Sequence, residues 1–238
     1  MKKKFLLLIV LAIFACSTTF ALVNVNIETF KDDSLVFPDL QYYATDSKGK
    51  VKYDKKTGEP YYRYHEATNE VLKASGIGLI QGYVDGTFKP EESITKAEFI
   101  KIAMALATNR NFDFSAIPTT IDHWAAPYVA MAEMQGVVEL NKYNDANLDE
   151  PITRIEMICI LSKIQIQMKG VSQYRETEMP NYTDIDNLTE EEKELLLHAT
   201  GYELISGMFD KDDNGEYSIR PYDNLTRAEA AVAIMRIY

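Results

Sequence analysis

Apolar residues recur on one face of three stretches of this chain, each in the same phase relative to a Thr-x-x-Glu sequence. Phe99, Ile102, Ala103 and Leu106 follow Thr95-Lys96-Ala97-Glu98, and Met157, Ile160, Leu161 and Ile164 follow Thr153-Arg154-Ile155-Glu156. Ala230, Ala233, Ile234 and Ile237 follow Thr226-Arg227-Ala228-Glu229. Steps of three and four residues put each set on one side of a helix. Thr with Glu three positions later is a capping box, in which each side chain satisfies a backbone N–H that the first turn leaves unpaired. The pairs Thr95/Glu98, Thr153/Glu156 and Thr226/Glu229 therefore predict three helix starts.

The capped motif returns after 58 and then 73 residues, long enough for a helix–loop–helix each time. Upstream, Ala74-Ser75-Gly76-Ile77-Gly78-Leu79-Ile80 matches Ala199-Thr200-Gly201-Tyr202-Glu203-Leu204-Ile205, and Gly136-Val137-Val138 is a looser middle copy. A first helix precedes each match, near residues 65–74, 124–135 and 189–200. Between the helices Asp85-Gly86 signals a turn, and Pro90 and Pro221 each stand five residues before a capping Thr. One helix pair cannot bury both apolar faces, but three packed copies can. The prediction is a mainly α, pseudo-threefold (three-pronged) bundle of three helix–loop–helix units. The first unit carries an insertion at about residues 41–64, rich in tyrosine, where alternation and the Lys56-Thr57-Gly58 turn predict a β-hairpin near 50–64.

The basic residue inside each motif has no capping role. Lys96, Arg154 and Arg227 stand at the first helical position, where the macrodipole disfavours a cation by some tenths of a kcal/mol. A cation held beside unpaired helix N–H groups is how an anion site is built. On that reading the three residues bind a ligand, and removing them spares the fold.

Composition sets the compartment and removes some partners. Lys2, Lys3 and Lys4, the apolar run from Phe5 to Ala15 and the small residues up to Ala21 have the order of a secretory signal peptide, so residues 1–21 are expected to be cleaved. Cys16 offers the rival reading of a lipid-modified cysteine. The formal charge of −11 becomes −14 when the three leader lysines go. So acidic a chain does not suit nucleic acid, and no later stretch is apolar enough to span a membrane. Cys159 alone remains after cleavage and reads as a half-buried, inert thiol. No cluster has metal-ligand spacing, and no nucleophile motif or catalytic carboxylate pair stands out. Neither a metal, a cofactor nor an enzyme is expected.

Gly82-Tyr83-Val84-Asp85-Gly86-Thr87-Phe88-Lys89-Pro90 followed by Ile94-Thr95-Lys96-Ala97-Glu98 resembles the signature of the S-layer homology (SLH) domain. Asp122-His123-Trp124-Ala125 and Ile152-Thr153-Arg154-Ile155-Glu156 resemble that family's two helix entries. Phe37-Pro38-Asp39-Leu40 and Tyr182-Thr183-Asp184-Ile185 resemble the segment that opens a unit. The resemblance implies SLH units at 22–108, 109–170 and 171–238. It implies a secreted, non-catalytic module of the bacterial cell wall or cell surface. Its ligand would be an acidic, often pyruvylated secondary cell wall polysaccharide, met in grooves between units by Lys96, Arg154 and Arg227. Lys96 cannot make the bidentate contact of Arg, so the first groove is expected to be the weaker.

Two further classes stay open, an envelope protein-interaction component and a tether to peptidoglycan. The tyrosine-rich insertion has three readings: a covering flap, a surface for another protein or a surface for a glycan. Trp124 has two readings, stacking on a sugar or anchoring the first helix. His123 reads as structural and His198 as a surface or helix-end residue. The stretch Asp210–Glu216 begins like a calcium loop, but position 12 is Pro221 where a bidentate acid is needed. It reads instead as a solvated hairpin tip.

Overall fold

The computed structural model describes residues 37–108, 112–172, 178–206, 210–211 and 214–238; the leader expected at 1–21 lies outside them. Among the described residues there are six α-helices: α1 (Thr68–Gly76), α2 (Lys96–Ala107), α3 (Ala126–Met134), α4 (Arg154–Lys163), α5 (Glu190–Gly201) and α6 (Arg227–Ile237). A π-helical turn, Ile164–Met168, extends α4. Helices α2, α4 and α6 each open on a complete capping box, with Thr95, Thr153 and Thr226 as N-caps. Helix α5 has a fourth, Thr189 with Glu192. Every apolar residue of the three repeated faces is buried.

The fold is mainly helical, and the first helices begin slightly later than the hydrophobic pattern predicts. Helices α1 and α3 start at Thr68 and Ala126, because an imidazole intervenes at each entry. His65 Nδ1 accepts from Ala67 N–H and His123 Nδ1 from Ala125 N–H, each at 3.1 Å. Their Nε2 atoms reach Glu91 at 2.9 Å and Asp149 at 3.2 Å. Each histidine thus ties a first helix to the loop before a second helix. His198 departs from its surface reading. It is buried, Nε2 bonds Gln165 Oε1 at 2.9 Å, and its ring packs on Tyr202.

The starts of α2, α4 and α6 meet in a closed ring of backbone hydrogen bonds. Ile94 N–H donates to Leu225 C=O at 3.0 Å, Leu225 N–H to Ile152 C=O at 2.9 Å, and Ile152 N–H to Ile94 C=O at 3.0 Å. Each of these residues immediately precedes a capping Thr, and each is fully buried. The bridges Ser93↔Thr226, Thr95↔Pro151 and Thr153↔Asn224 flank the ring. The helix contacts follow the same cyclic order, with α2 packing on α3, α4 on α5, and α6 on α1.

The insertion repeats this connectivity without helices. Strand β1 (Gln41–Tyr43) pairs antiparallel with β2 (Tyr62–Tyr64), so the hairpin begins before residue 50, earlier than alternation predicts. Beyond it Ala44 N–H donates to Tyr61 C=O, Tyr61 N–H to Lys52 C=O and Lys52 N–H to Ala44 C=O, at 2.8, 2.9 and 2.8 Å. The bridges Thr45↔Val51 and Tyr53↔Pro60 complete a three-way junction. A second ribbon, β3 (Asp210–Lys211) with β4 (Tyr217–Ser218), frames the acidic stretch after α5. Asp212 and Asp213 lie outside the described residues. No described helix is long and apolar enough to cross a membrane.

The ring makes the capped helices one cooperative unit. Amide exchange of Ile94, Ile152 and Leu225 is expected to proceed only through global unfolding, at one common free energy. Thr153→Ala, which removes one cap, is expected to cost about 0.5–2 kcal/mol in chemical denaturation and to leave a single transition.

Candidate functional site

The three basic residues sit where neighbouring repeats meet, and two of them are buried. Arg154 Nε donates to Ile219 C=O at 2.8 Å, and its Nη1 pairs with Glu229 Oε1 at 2.5 Å. Arg227 Nε donates to Phe88 C=O at 2.9 Å and Nη2 to Gln81 C=O at 2.7 Å. Its guanidinium lies 4.6 Å from the centre of the Tyr83 ring, with Glu98 Oε1 3.8 Å from Nη1. Lys96 does less, pairing through Nζ with Glu150 at 2.7 Å, an acid that is itself largely exposed. The carboxylates that face the two arginines are those of capping boxes. One oxygen of Glu98 or Glu229 caps its own helix and the other faces the preceding helix's arginine. In the middle box Glu156 Oε1 instead accepts from the buried Tyr143 hydroxyl at 3.3 Å, and burial together with Glu156 pushes that phenol up.

The helix ends correct the argument for an anion site built on unpaired N–H groups. The first-position amides of Lys96, Arg154 and Arg227 donate to the carbonyls of Glu150, Asp223 and Glu92. The second-position amides of Ala97, Ile155 and Ala228 donate to Leu148, Pro221 and Pro90. The capping Thr and Glu satisfy the remaining two, so all four N–H groups that a helix start leaves open are used at each end. Carbonyls of the next repeat accept from the Arg154 and Arg227 side chains. They offset the macrodipole conflict at these two arginines, whose removal is therefore expected to cost stability, whereas the Lys96 side chain has only Glu150.

Two acids that the sequence reading left without a role hold the loops these arginines grip. Asp39 accepts from the N–H groups of Phe88 and Lys89, and Asp184 from those of Ile219 and Arg220. Lys89 and Arg220 both have positive φ, a conformation that costs a side-chain-bearing residue about 1–2 kcal/mol. Each loop is clamped from one side by Asp and from the other by Arg. The matching position of Asp39 and Asp184 at the opening of their units was the available sequence signal.

The seams between repeats differ in what they expose. At the α2–α3 seam Trp124 is 54% exposed, Lys101 Nζ lies 5.8 Å from its ring and the His123 ring packs beside it. So exposed an indole does not anchor the helix by burial. At the α4–α5 seam there is a cleft of ≈ 190 Å³ between Lys142, Tyr143, Cys159, Lys163 and Glu191. Glu191, the counterpart of Trp124, is paired with Lys163 at 2.7 Å, which holds its carboxyl below the usual range. Burial pushes the Cys159 thiol up to about 12. No group of metal ligands occurs among the described residues.

Comparison with known proteins bears on this arrangement. Residues 63–100, from the end of β2 through α1 to the first turn of α2, match the S-layer homology domain. Over those residues the chain carries an S-layer homology domain. Such a domain is a cell-wall binding module and not a catalytic one, and it associates its chain with the cell wall or surface. Among curated proteins the chain is similar to an amylopullulanase of Thermoanaerobacterium thermosulfurigenes, 24% identical over 187 residues, which are 77% of this chain and 9% of that protein. It is similar to cell surface glycoprotein 1 of Acetivibrio thermocellus, 26% identical over 66% of this chain and 7% of that protein. An uncharacterized cell wall amidase of Bacillus anthracis is 33% identical over 40% of this chain and 18% of that protein. The chain thus spans less than a fifth of the length of each of these relatives.

Removing a buried arginine leaves carbonyls without donors, and with Arg154 a carboxylate without its partner. Arg154→Ala and Arg227→Ala are expected to lower stability by about 3 kcal/mol, whereas Lys96→Ala costs under about 1 kcal/mol; urea titration of the three variants checks the order. At Cys159 thiolate chemistry is suppressed. Iodoacetamide at neutral pH is expected to label its peptide far more slowly in the native protein than in urea, by mass spectrometry.

Proposed function

We propose that this chain is a non-catalytic anchoring module that holds its protein on the bacterial cell wall by binding an acidic, pyruvylated secondary cell wall polysaccharide. The observation that carries this reading is the S-layer homology match across α1 and the start of α2. Units at 22–108, 109–170 and 171–238 form a three-pronged body after cleavage of the leader at 1–21. The closed ring and the cyclic order of helix contacts support that arrangement. The ligand lies in the seams between units.

In this reading Lys96, Arg154, Arg227 and Trp124 contribute in two ways. Arg154 and Arg227 hold the neighbouring loops that form the groove walls, which fits their burial. Trp124 with Lys101, and Lys96 at the start of the same helix as Lys101, are the contacts for an acidic sugar, a ring face and two cations. The cations must act locally, because the chain as a whole carries a formal charge of −11 and repels an anionic polymer at long range.

Sedimentation with purified cell wall sacculi tests the reading. The chain is expected to pellet with intact sacculi and to stay in solution once the secondary polymer is extracted. Stripping the polymer's acidic substituents weakens binding, and Trp124→Ala lowers affinity by about 1 kcal/mol with an unchanged melting temperature. Equal pelleting with walls whose secondary polymer is neutral overturns the proposal. Undiminished pelleting with extracted sacculi makes the chain a peptidoglycan tether.

A further inference from the structure

The three-way junction of the insertion presents an aromatic face that the anchoring reading does not use. Successive residues of a strand point to opposite faces. Tyr43, Tyr53 and Tyr62, which flank the junction residues Ala44, Lys52 and Tyr61, therefore share the face opposite to them. Tyr64, two residues beyond Tyr62, joins that face. These four tyrosines are 53%, 58%, 45% and 41% exposed. The rings of Tyr43 and Tyr62 lie 5.2 Å apart at 30°, a shallow ledge and not a closed stack.

The surroundings of this face narrow its occupant. Its remaining residues are Gln41, Thr45, Val51 and Pro60, none of them charged. Lys52, Asp54 and Arg63 fall on the opposite face, where Tyr61 donates to Asp54 at 2.8 Å. Among the described residues of this face an anionic polymer finds no cation, and a charged peptide no opposite charge. An aromatic side chain offers about 150–250 Å², so four half-exposed tyrosines present roughly 400 Å². That is half of the roughly 800 Å² each partner contributes to a stable protein interface, yet large enough for an exposed patch to be functional. Each tyrosine combines a flat apolar face with a hydroxyl at its rim. A pyranose ring carries the complementary pattern of an apolar C–H face edged by hydroxyls.

We propose that this tyrosine face is a second glycan-binding surface, one that takes an uncharged chain of pyranose sugars by stacking. It is separate from the seam contacts around Trp124, and its binding is insensitive to salt because no ion pair takes part.

Calorimetric titration of the full chain with chitohexaose, a neutral N-acetylglucosamine chain, tests it. Binding is expected with an affinity unchanged from low to near-molar salt. Tyr43→Ala/Tyr53→Ala is expected to lose at least about tenfold in affinity, the corresponding double Phe variant to retain it within a few fold, and Trp124→Ala to bind as the parent does. The single Tyr53→Ala variant, altered only at an exposed position, decides the matter if the double variant melts early. Absence of chitohexaose binding by the parent chain overturns the proposal, as does parent-like binding by a folded Ala variant. Self-association, or capture of an envelope protein, that the same substitutions abolish without changing glycan affinity also overturns it. Because Trp124 and the acidic polymer take no part, failure here leaves the sacculus result standing on its own.

Discussion

Three backbone hydrogen bonds among Ile94, Ile152 and Leu225 are the constraint on which the rest of this structure depends. Their residues are fully buried, so no water replaces a bond that is lost, and an unpaired amide there costs about 1–3 kcal/mol. The ring fixes where each capping threonine stands, and with it the first turn of α2, α4 and α6. Because the bonds run from one repeat to the next and close on themselves, no repeat completes its own helix start. Each first turn depends on carbonyls lent by the following repeat, and each ring amide on one lent by the preceding repeat.

The buried arginines extend the same logic outward. A cation at a helix start is unfavourable alone, but here the carbonyls of the adjoining repeat converge on it, and a capping glutamate uses its free oxygen for the same group. Asp39 and Asp184 grip those loops from the other side and hold Lys89 and Arg220 in left-handed backbone. Among the described residues the middle loop has neither an equivalent aspartate contact nor an arginine over it. The Lys96 side chain meets it through Glu150, near the surface. The strong and weak seams are thus matched sets, in which the basic residue and the loop it faces differ together.

Connectivity recurs at two scales. The helical ring and the small junction of Ala44, Lys52 and Tyr61 follow the same donor–acceptor cycle, with flanking bridges in the same positions. In the large ring the central side chains are apolar and point into a core, which leaves polar residues outside. In the small one there is little core to fill, and the tyrosines on the opposite face stay about half exposed.

The sequence by itself determined the helices and the starts of those that open on a capping box. Capping boxes and helical periodicity depend on residues three and four apart, and such local physics is legible in one dimension; Phe99, Met157 and Ala230 went inside as their spacing required. The triplicated motif also carried the mainly helical class and the resemblance to the S-layer homology domain that residues 63–100 match. Only the tertiary structure decided what the basic residues touch. Whether Arg227 meets a ligand or the carbonyls of Phe88 and Gln81 depends on chain more than a hundred residues away. Burial of His198 against Gln165, exposure of Trp124 beside Lys101 and closure of the ring have the same origin. Each is a contact between distant segments, set by how three amphipathic helix pairs must share one core, and no spacing within a single repeat encodes it.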